Sequence, residues 1–310
     1  MNDQNGPARW DSELGQGISD DVIAALRAEP RFSDACRAGV TRALAYVKTD
    51  PEQHASFRDI GRMVLGTLAL YLHASGGLTH RRLCEVSSGG GTLSSGRASA
   101  ILLRLRMIGY LKAAAKRSNG SARLYIPTPK MISAFRQRIQ IDIGAIALLD
   151  PRLEKFAVQL EDDKVFFRLY RIIGENLLHA ERQRRPDMMD FEAIMTRDAG
   201  MLIFYAMFEA ADDGHEFPVA GPAKISLAAL ARRFGVSRTH VLRLMRDTEK
   251  MGFVERDANG DYGIITPLLR DTFKTYYSII LIALSAMCRQ VAEDLKNEDA
   301  AGTPPLSLSA

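Results

Sequence analysis

The sequence is poor in the residues that mark disulfide-stapled, metal-binding or catalytic proteins. It holds three cysteines, Cys36, Cys84 and Cys288, far apart and with no CxxC pair. A set this sparse and odd excludes a disulfide framework and a zinc finger. Free thiols are the expectation, with redox sensing by one of them as the alternative. The six histidines show neither HxH nor HExxH spacing, so no metal site is expected. The longest apolar run, residues 276–288, has 13 residues, short of the about 20 that a membrane-spanning helix needs. Residues 1–17 are polar and lack a basic segment followed by an apolar one, so neither a secretory leader nor a membrane partner is expected. GxSxG, a Rossmann glycine fingerprint and a deaminase signature are all missing. The expectation is a cytoplasmic protein that is not an enzyme and needs no cofactor.

What the chain does have is an internal repeat. Its 310 residues, 46% hydrophobic and 25% charged, suffice for two soluble domains of ordinary size. Arg58-Asp59-Ile60-Gly61 matches Arg197-Asp198-Ala199-Gly200, each opening an apolar helix over residues 63–74 or 201–210. Leu78-Thr79 and Leu83 match Ile225-Ser226 and Leu230, with Thr79 and Ser226 placed to cap a short helix. Leu93-Ser94-Ser95 matches Val236-Ser237-Arg238, and residues 107–111 match 250–254 at the same offset of 143. Two strand-like stretches then flank Asn119-Gly120 or Asn259-Gly260, a strong hairpin signal. Thr128-Pro129 and Thr266-Pro267 start a further helix. Helix, helix-turn-helix and hairpin in that order spell a winged helix, present twice.

The fold class expected is therefore mainly α with small β-hairpin wings (α+β): tandem winged helix-turn-helix domains joined by helices, with pseudo-two-fold symmetry. Flanking helices are expected at residues 18–29, 32–48, 130–149, 151–160, 164–184 and 267–296. The units run over residues 18–150 and 151–297, between disordered tails at 1–17 and 298–310.

A helix-turn-helix sets its second helix in the major groove of DNA, N-terminal half against the bases. Such a helix must be amphipathic. In the second copy Val241, Leu244, Met245 and Thr248 fall on the core side, while Ser237, Arg238, Thr239, His240, Leu242, Arg243 and Arg246 fall outside it. In the first, Ala98, Ile101, Leu102 and Leu105 face inward, and Ser95, Gly96, Arg97, Ser99 and Ala100 outward. Arginine can bridge guanine, and Ser or Thr can donate or accept. The first wing carries Lys112, Lys116, Arg117 and Arg123 with no acid, whereas the second sets Glu255, Asp257 and Asp261 against Arg256. Residues 58–138 hold 14 Lys and Arg against 2 acids, and residues 197–274 hold 11 against 11, within a chain of net charge +4. Double-stranded DNA is the partner such a basic segment fits. The candidate contact residues are Thr79, Arg81, Arg82, Ser94, Ser95, Arg97, Ser99, Lys112, Lys116, Arg117 and Arg123, with Ser226, Ser237, Arg238, Thr239, His240, Arg243 and Arg246. Ser87-Ser88-Gly89-Gly90-Gly91 lacks P-loop spacing and reads as a turn rather than a phosphate cradle.

The stretch from Ile225 to Arg238, ISLAALARRFGVSR, followed by Met251-Gly252-Phe253-Val254, resembles the helix-turn-helix of bacterial winged-helix transcriptional regulators. In order and length of elements the chain is similar to the MarR type, with two units fused. The resemblance implies a nucleoid-associated, sequence-specific regulator, a repressor on an imperfect palindrome, acting as a monomeric pseudo-dimer or a homodimer. It also implies a small-molecule effector in a pocket lined by Phe166, Phe167, Tyr170, Phe204, Tyr205 and Phe208; a packed core is the other reading of that stripe. Two further functional readings stand beside it. One is a plasmid replication initiator, which also resembles tandem winged helices. The other is an adaptor whose second, acidic module binds protein.

Overall fold

The computed structural model describes residues 10–12, 17–49, 60–89, 94–115, 123–179, 185–259 and 262–301. It is mainly helical, with two small antiparallel sheets. The first half runs α1 (Asp20–Arg27), α2 (Phe32–Thr49), α3 (Ile60–Ala74), β1 (Leu78–Thr79), α4 (His80–Gly89), α5 (Ser95–Met107), β2 (Leu111–Ala113), β3 (Leu124–Pro127) and α6 (Pro129–Ile146). Among the described residues, the second half repeats that order with a further short helix. It runs α7 (Arg152–Gln159), α8 (Asp163–His179), α9 (Met189–Met195, after a 3-10 turn Pro186–Met188), α10 (Gly200–Ala211), β4 (Gly221–Pro222), α11 (Leu227–Phe234), α12 (Arg238–Lys250), β5 (Val254–Arg256), β6 (Tyr262–Ile265) and α13 (Pro267–Ala301).

The repeat extends to individual hydrogen bonds. Thr79 and Ser226 accept from Arg82 and Ala229 N–H, both at 3.2 Å, and Ser94 and Ser237 from Arg97 and His240 N–H at 3.3 and 3.0 Å. Each satisfies a backbone donor that a helix start leaves open. After α5 and α12 the chain turns through Gly109 (φ 76°) or Gly252 (φ 74°), a left-handed conformation that a side chain would strain. The hydroxyls of Thr128 and Thr266 then donate to the carbonyls of those glycines, each at 2.7 Å, tying the next helix to the turn.

Each sheet has a third strand that the pattern of residues did not announce. The orders are β1-β3-β2 and β4-β6-β5. Leu78 pairs with Tyr125 and Thr79 with Leu124; Gly221 pairs with Ile265 and Pro222 with Ile264. In the second copy the extra strand lies upstream of Ile225-Ser226, so only in the first does the capping residue belong to the strand. Asn119, Gly120 and Gly260, expected at the hairpin turns, lie outside the described residues.

Packing between the halves is reciprocal. Helix α8 lies along α3 and α2 along α10; α2 packs on α6 and α8 on α13; α1 packs on α13 and α7 on α6; α6 and α13 pack on each other. The cores follow the same exchange. Phe166, Phe167 and Tyr170 of α8 complete the core of the first half with Leu65, Leu68, Ile101, Leu102, Leu105 and Phe135. Ile23, Leu26, Val40 and Leu44 of α1 and α2 belong to the core of the second. The expected boundary at 150/151 therefore marks the sequence repeat and does not separate two cores.

Two expectations about the termini are corrected. Trp10 is 1% exposed within the second core. Its neighbour Asp11 bonds Arg289 at 2.6 Å, so residues 10–12 are anchored rather than part of a loose tail. A single indole in a polar stretch outweighs its surroundings because it buries so much apolar surface. At the other end α13 continues to Ala301, and Glu298 pairs with Arg168 and, at 3.0 Å, with Lys164. The aromatic stripe is core: Phe166, Phe167, Tyr170, Phe204, Tyr205 and Phe208 are at most 6% exposed and divide between the two cores, in ring contact with neighbouring aromatics.

Candidate nucleic-acid interface

Helices α4 and α5, and α11 and α12, pack as pairs, and the second member of each is amphipathic at matching positions. On α5 the buried residues are Ala98, Ile101, Leu102 and Leu105; on α12 they are Val241, Leu244, Met245 and Thr248. Every one of these eight is related to its counterpart by 143 positions, as the sequence repeat required. Burial of the three larger apolar side chains on each helix contributes roughly 5–9 kcal/mol, which fixes which face points away. The turn between α11 and α12 is short. Gly235 caps α11 in the left-handed region at φ 62°, and Val236 N–H returns to Ala231 O at 3.1 Å.

The outward faces carry most of the residues expected there. Ser94, Ser95 and Arg97 are exposed on α5, as are Ser237, Arg238, Thr239, Arg243 and Arg246 around α12, and Ser226 before α11. Lys112 and Arg123 are exposed on the first hairpin. Lys116 and Arg117 lie outside the described residues.

Four of the expected contact residues also make hydrogen bonds within the fold. Arg82 donates to the carbonyls of Gly77 and Ser75, at 2.5 and 3.1 Å, closing the turn before β1. His240 is half-buried, its Nε2 2.8 Å from the carbonyl of Asp198 at the start of the preceding helix. Ser99 donates to Ser95 O at 2.9 Å and meets His80 Nε2 at 2.8 Å. Thr79 is a strand residue and cap. Arg81 is 86% exposed but pairs with Glu85 at 2.7 Å. Arg104 and Arg106, by contrast, were not singled out, and both are exposed on α5, Arg106 lying 5.5 Å over the ring of Tyr125. Continuing the helical projection of α5 past Leu102 would have found them.

Pairing changes the meaning of the charge count. Arg136 pairs with Asp163, and the half-buried Arg138 with the buried Asp142 at 2.7 Å, so neither adds to a basic face of the first half. In the second half four acids engage specific bases: Asp247 with Arg197 at 2.5 Å, Glu209 with Arg233 at 2.8 Å, Glu249 with Arg256 at 2.8 Å, and Glu216 with Lys274. Arg197 holds the Asp247 carboxyl below its usual range, and Arg256 does the same for Glu249, with help from the Tyr262 hydroxyl. None of the ion pairs among the described residues involves Arg238 or Arg243. A neutral sum thus conceals free cations on the exposed face of α12.

The other candidate groups do not form sites. Cys36 and Cys288 are buried, and burial pushes both thiols far up; Cys84 is half-buried with Sγ 3.6 Å from His80 Nε2. All three cysteines are free. Among the described residues no group of three or more His, Cys, Asp or Glu could hold a metal, and no helix is long and apolar enough to cross a membrane. No protein-family model, curated protein or solved structure matches this chain.

Proposed function

We propose that this protein is a sequence-specific, double-stranded DNA-binding regulator of transcription, built from two winged helix-turn-helix modules that act as the halves of a dimer, in the manner of a fused MarR-type pair. The observation that carries the reading is the matched pair of helices α5 and α12. Each buries the same four positions, starts at a serine cap and exposes arginines on the face away from the core. A major groove admits such a helix, and exposed arginine is the commonest specific reader of guanine. Reciprocal packing of α2, α3 and α6 with α10, α8 and α13 supports a pseudo-two-fold frame. Two recognition helices about 34 Å apart would meet successive turns of one duplex face. Lys112 and Arg123, with Lys116 and Arg117 between them in the sequence, suit phosphate contact by the first wing.

The test is equilibrium binding of the full chain to random-sequence duplex across a salt series. Phosphate contact makes log K fall linearly with log salt, by about 0.9 for each phosphate neutralised. Replacing Lys112, Lys116, Arg117 and Arg123 together by Glu is expected to weaken binding at least tenfold and flatten the slope. If the wild-type chain ignores duplex even in dilute buffer, the reading fails and the adaptor role takes its place.

A further inference from the structure

Superposing the two copies by their buried residues compares the exposed positions one for one. Where α12 presents Arg238, Thr239, Arg243 and Arg246, α5 presents Ser95, Gly96, Ala100 and Leu103. Ala100 is exposed, Leu103 is 54% exposed, and a Cβ built on Gly96 would meet nothing within 4 Å. The basic residues of α5 sit elsewhere on the helix, at Arg97, Arg104 and Arg106. The matching positions of α12 are His240, held by the Asp198 carbonyl; Asp247, held by Arg197; and Glu249, held by Arg256. The positions used for charge on one helix are neutral or self-paired on the other, and the reverse holds as well. The loops around the helices repeat the contrast, since the first hairpin is basic and the second acidic.

Resting on the DNA-binding reading, we infer that the two modules divide the work: α12 reads guanine, and the first module holds phosphate while α5 reads little beyond groove shape and thymine methyls. The chemistry follows from the side chains. A guanidinium can bond O6 and N7 of guanine together, a match that a small or apolar side chain cannot make. Gly96 and Ala100 allow close approach of the helix to the groove, and Ala100 and Leu103 offer only apolar contact, for which the thymine methyl is the partner. Arg104, Lys112 and Arg123 sit where positive charge raises affinity on any sequence. The preferred site is therefore lopsided, with its guanines gathered in one half.

The experiment is selection from a randomised duplex pool with the full-length protein, followed by affinities for the selected site and its single-base variants. Arg243→Lys and Arg238→Lys keep the charge but lose the fork. Each is expected to cut discrimination for guanine at one position by about 5- to 150-fold and leave the salt slope unchanged. Arg104→Gln with Lys112→Gln is expected to lower that slope by about 1 for each residue while base preferences stay in place. All four side chains are exposed, so thermal melting should confirm intact folding. Guanine preference that survives loss of both α12 arginines, or that moves with the first-module variants, overturns the division of work and leaves DNA binding standing. A pool with no enriched, salt-sensitive binder overturns the DNA-binding reading itself, and this inference with it.

Discussion

Gly235 and Gly96 show how position decides the effect of one methyl group. Gly235 ends α11 at φ 62°, where a Cβ crowds the backbone, and it sets the angle at which α12 leaves the turn. Gly235→Ala is expected to cost about 1–2 kcal/mol, measured by denaturant melting. Gly96 lies inside α5, in open space and with a helical backbone. Gly96→Ala should instead stabilise by about 0.5–1 kcal/mol, because alanine loses less freedom on folding. A loss on Gly96→Ala would mean that α5 is not a free helical surface. At this scale the sequence was informative wherever one residue acts on its own neighbours. The caps at Ser94, Ser226 and Ser237 and the buried stripes of α5 and α12 follow from short spacings. Partners distant along the chain leave no such trace. Nothing local links His240 to the Asp198 carbonyl, Arg37 to Asp212 or Trp10 to its core, so those roles had to come from the structure.

Between elements, ion pairs brace the second module. Arg197–Asp247 ties the entry of α10 to α12, Arg256–Glu249 ties β5 to α12, and Lys274–Glu216 ties α13 to the loop before β4. Asp247, Glu249 and Glu216 are each held below the ordinary carboxylate range by the base bonded to them, Arg197, Arg256 and Lys274 in turn. A carboxyl whose pKa is lower in the folded state than in the unfolded one binds fewer protons when folded. Its stabilising effect is complete above the unfolded value, about 4–4.5, and is lost as pH falls through the folded value. Residues 58–138 contain only two acids against 11 in residues 197–274, so fewer carboxyls can carry this dependence in the first module. Hydrogen exchange between pH 5 and pH 3 is expected to show α12 amides losing protection before those of α5. Asp247→Asn with Glu249→Gln should remove most of the difference, and equal loss in both helices would refute the account. The elements themselves were mostly legible, since helices of this length carry enough periodic positions to declare their faces. The third strands were not. Two residues such as Leu78-Thr79 or Gly221-Pro222 are too few for alternation to show, and proline is a poor strand former. They pair only because an edge of β3 or β6 is open beside them.

For the whole molecule, the reciprocal exchange of α2 and α8 means that neither half carries a complete core. The sequence revealed a repeat because the two modules share short motifs. It did not reveal the exchange, because α1–α2 and α7–α8 correspond in order and packing without matching residues. Cutting the chain after residue 150 would remove Phe166, Phe167 and Tyr170 from the first core and bare the side of α3 that α8 covers. At about 1.5–3 kcal/mol for each buried side chain, that loss is roughly 5–9 kcal/mol, comparable with the whole stability of an ordinary domain, about 5–15 kcal/mol. It would also leave α1 and α2 without the α10 and α13 surfaces they pack on. Expressed alone, residues 18–150 should therefore fail to form a cooperative monomer. Two copies can cover their exposed α2 and α3 faces only by pairing, so sedimentation should show dimer or aggregate, and thermal melting should depend on concentration. Mixing with residues 151–301 should restore a one-to-one complex with a single sharp transition. A fragment 18–150 that melts cooperatively as a monomer would show that the halves are independent domains, and nothing in the packing would then hold α5 and α12 at a fixed spacing.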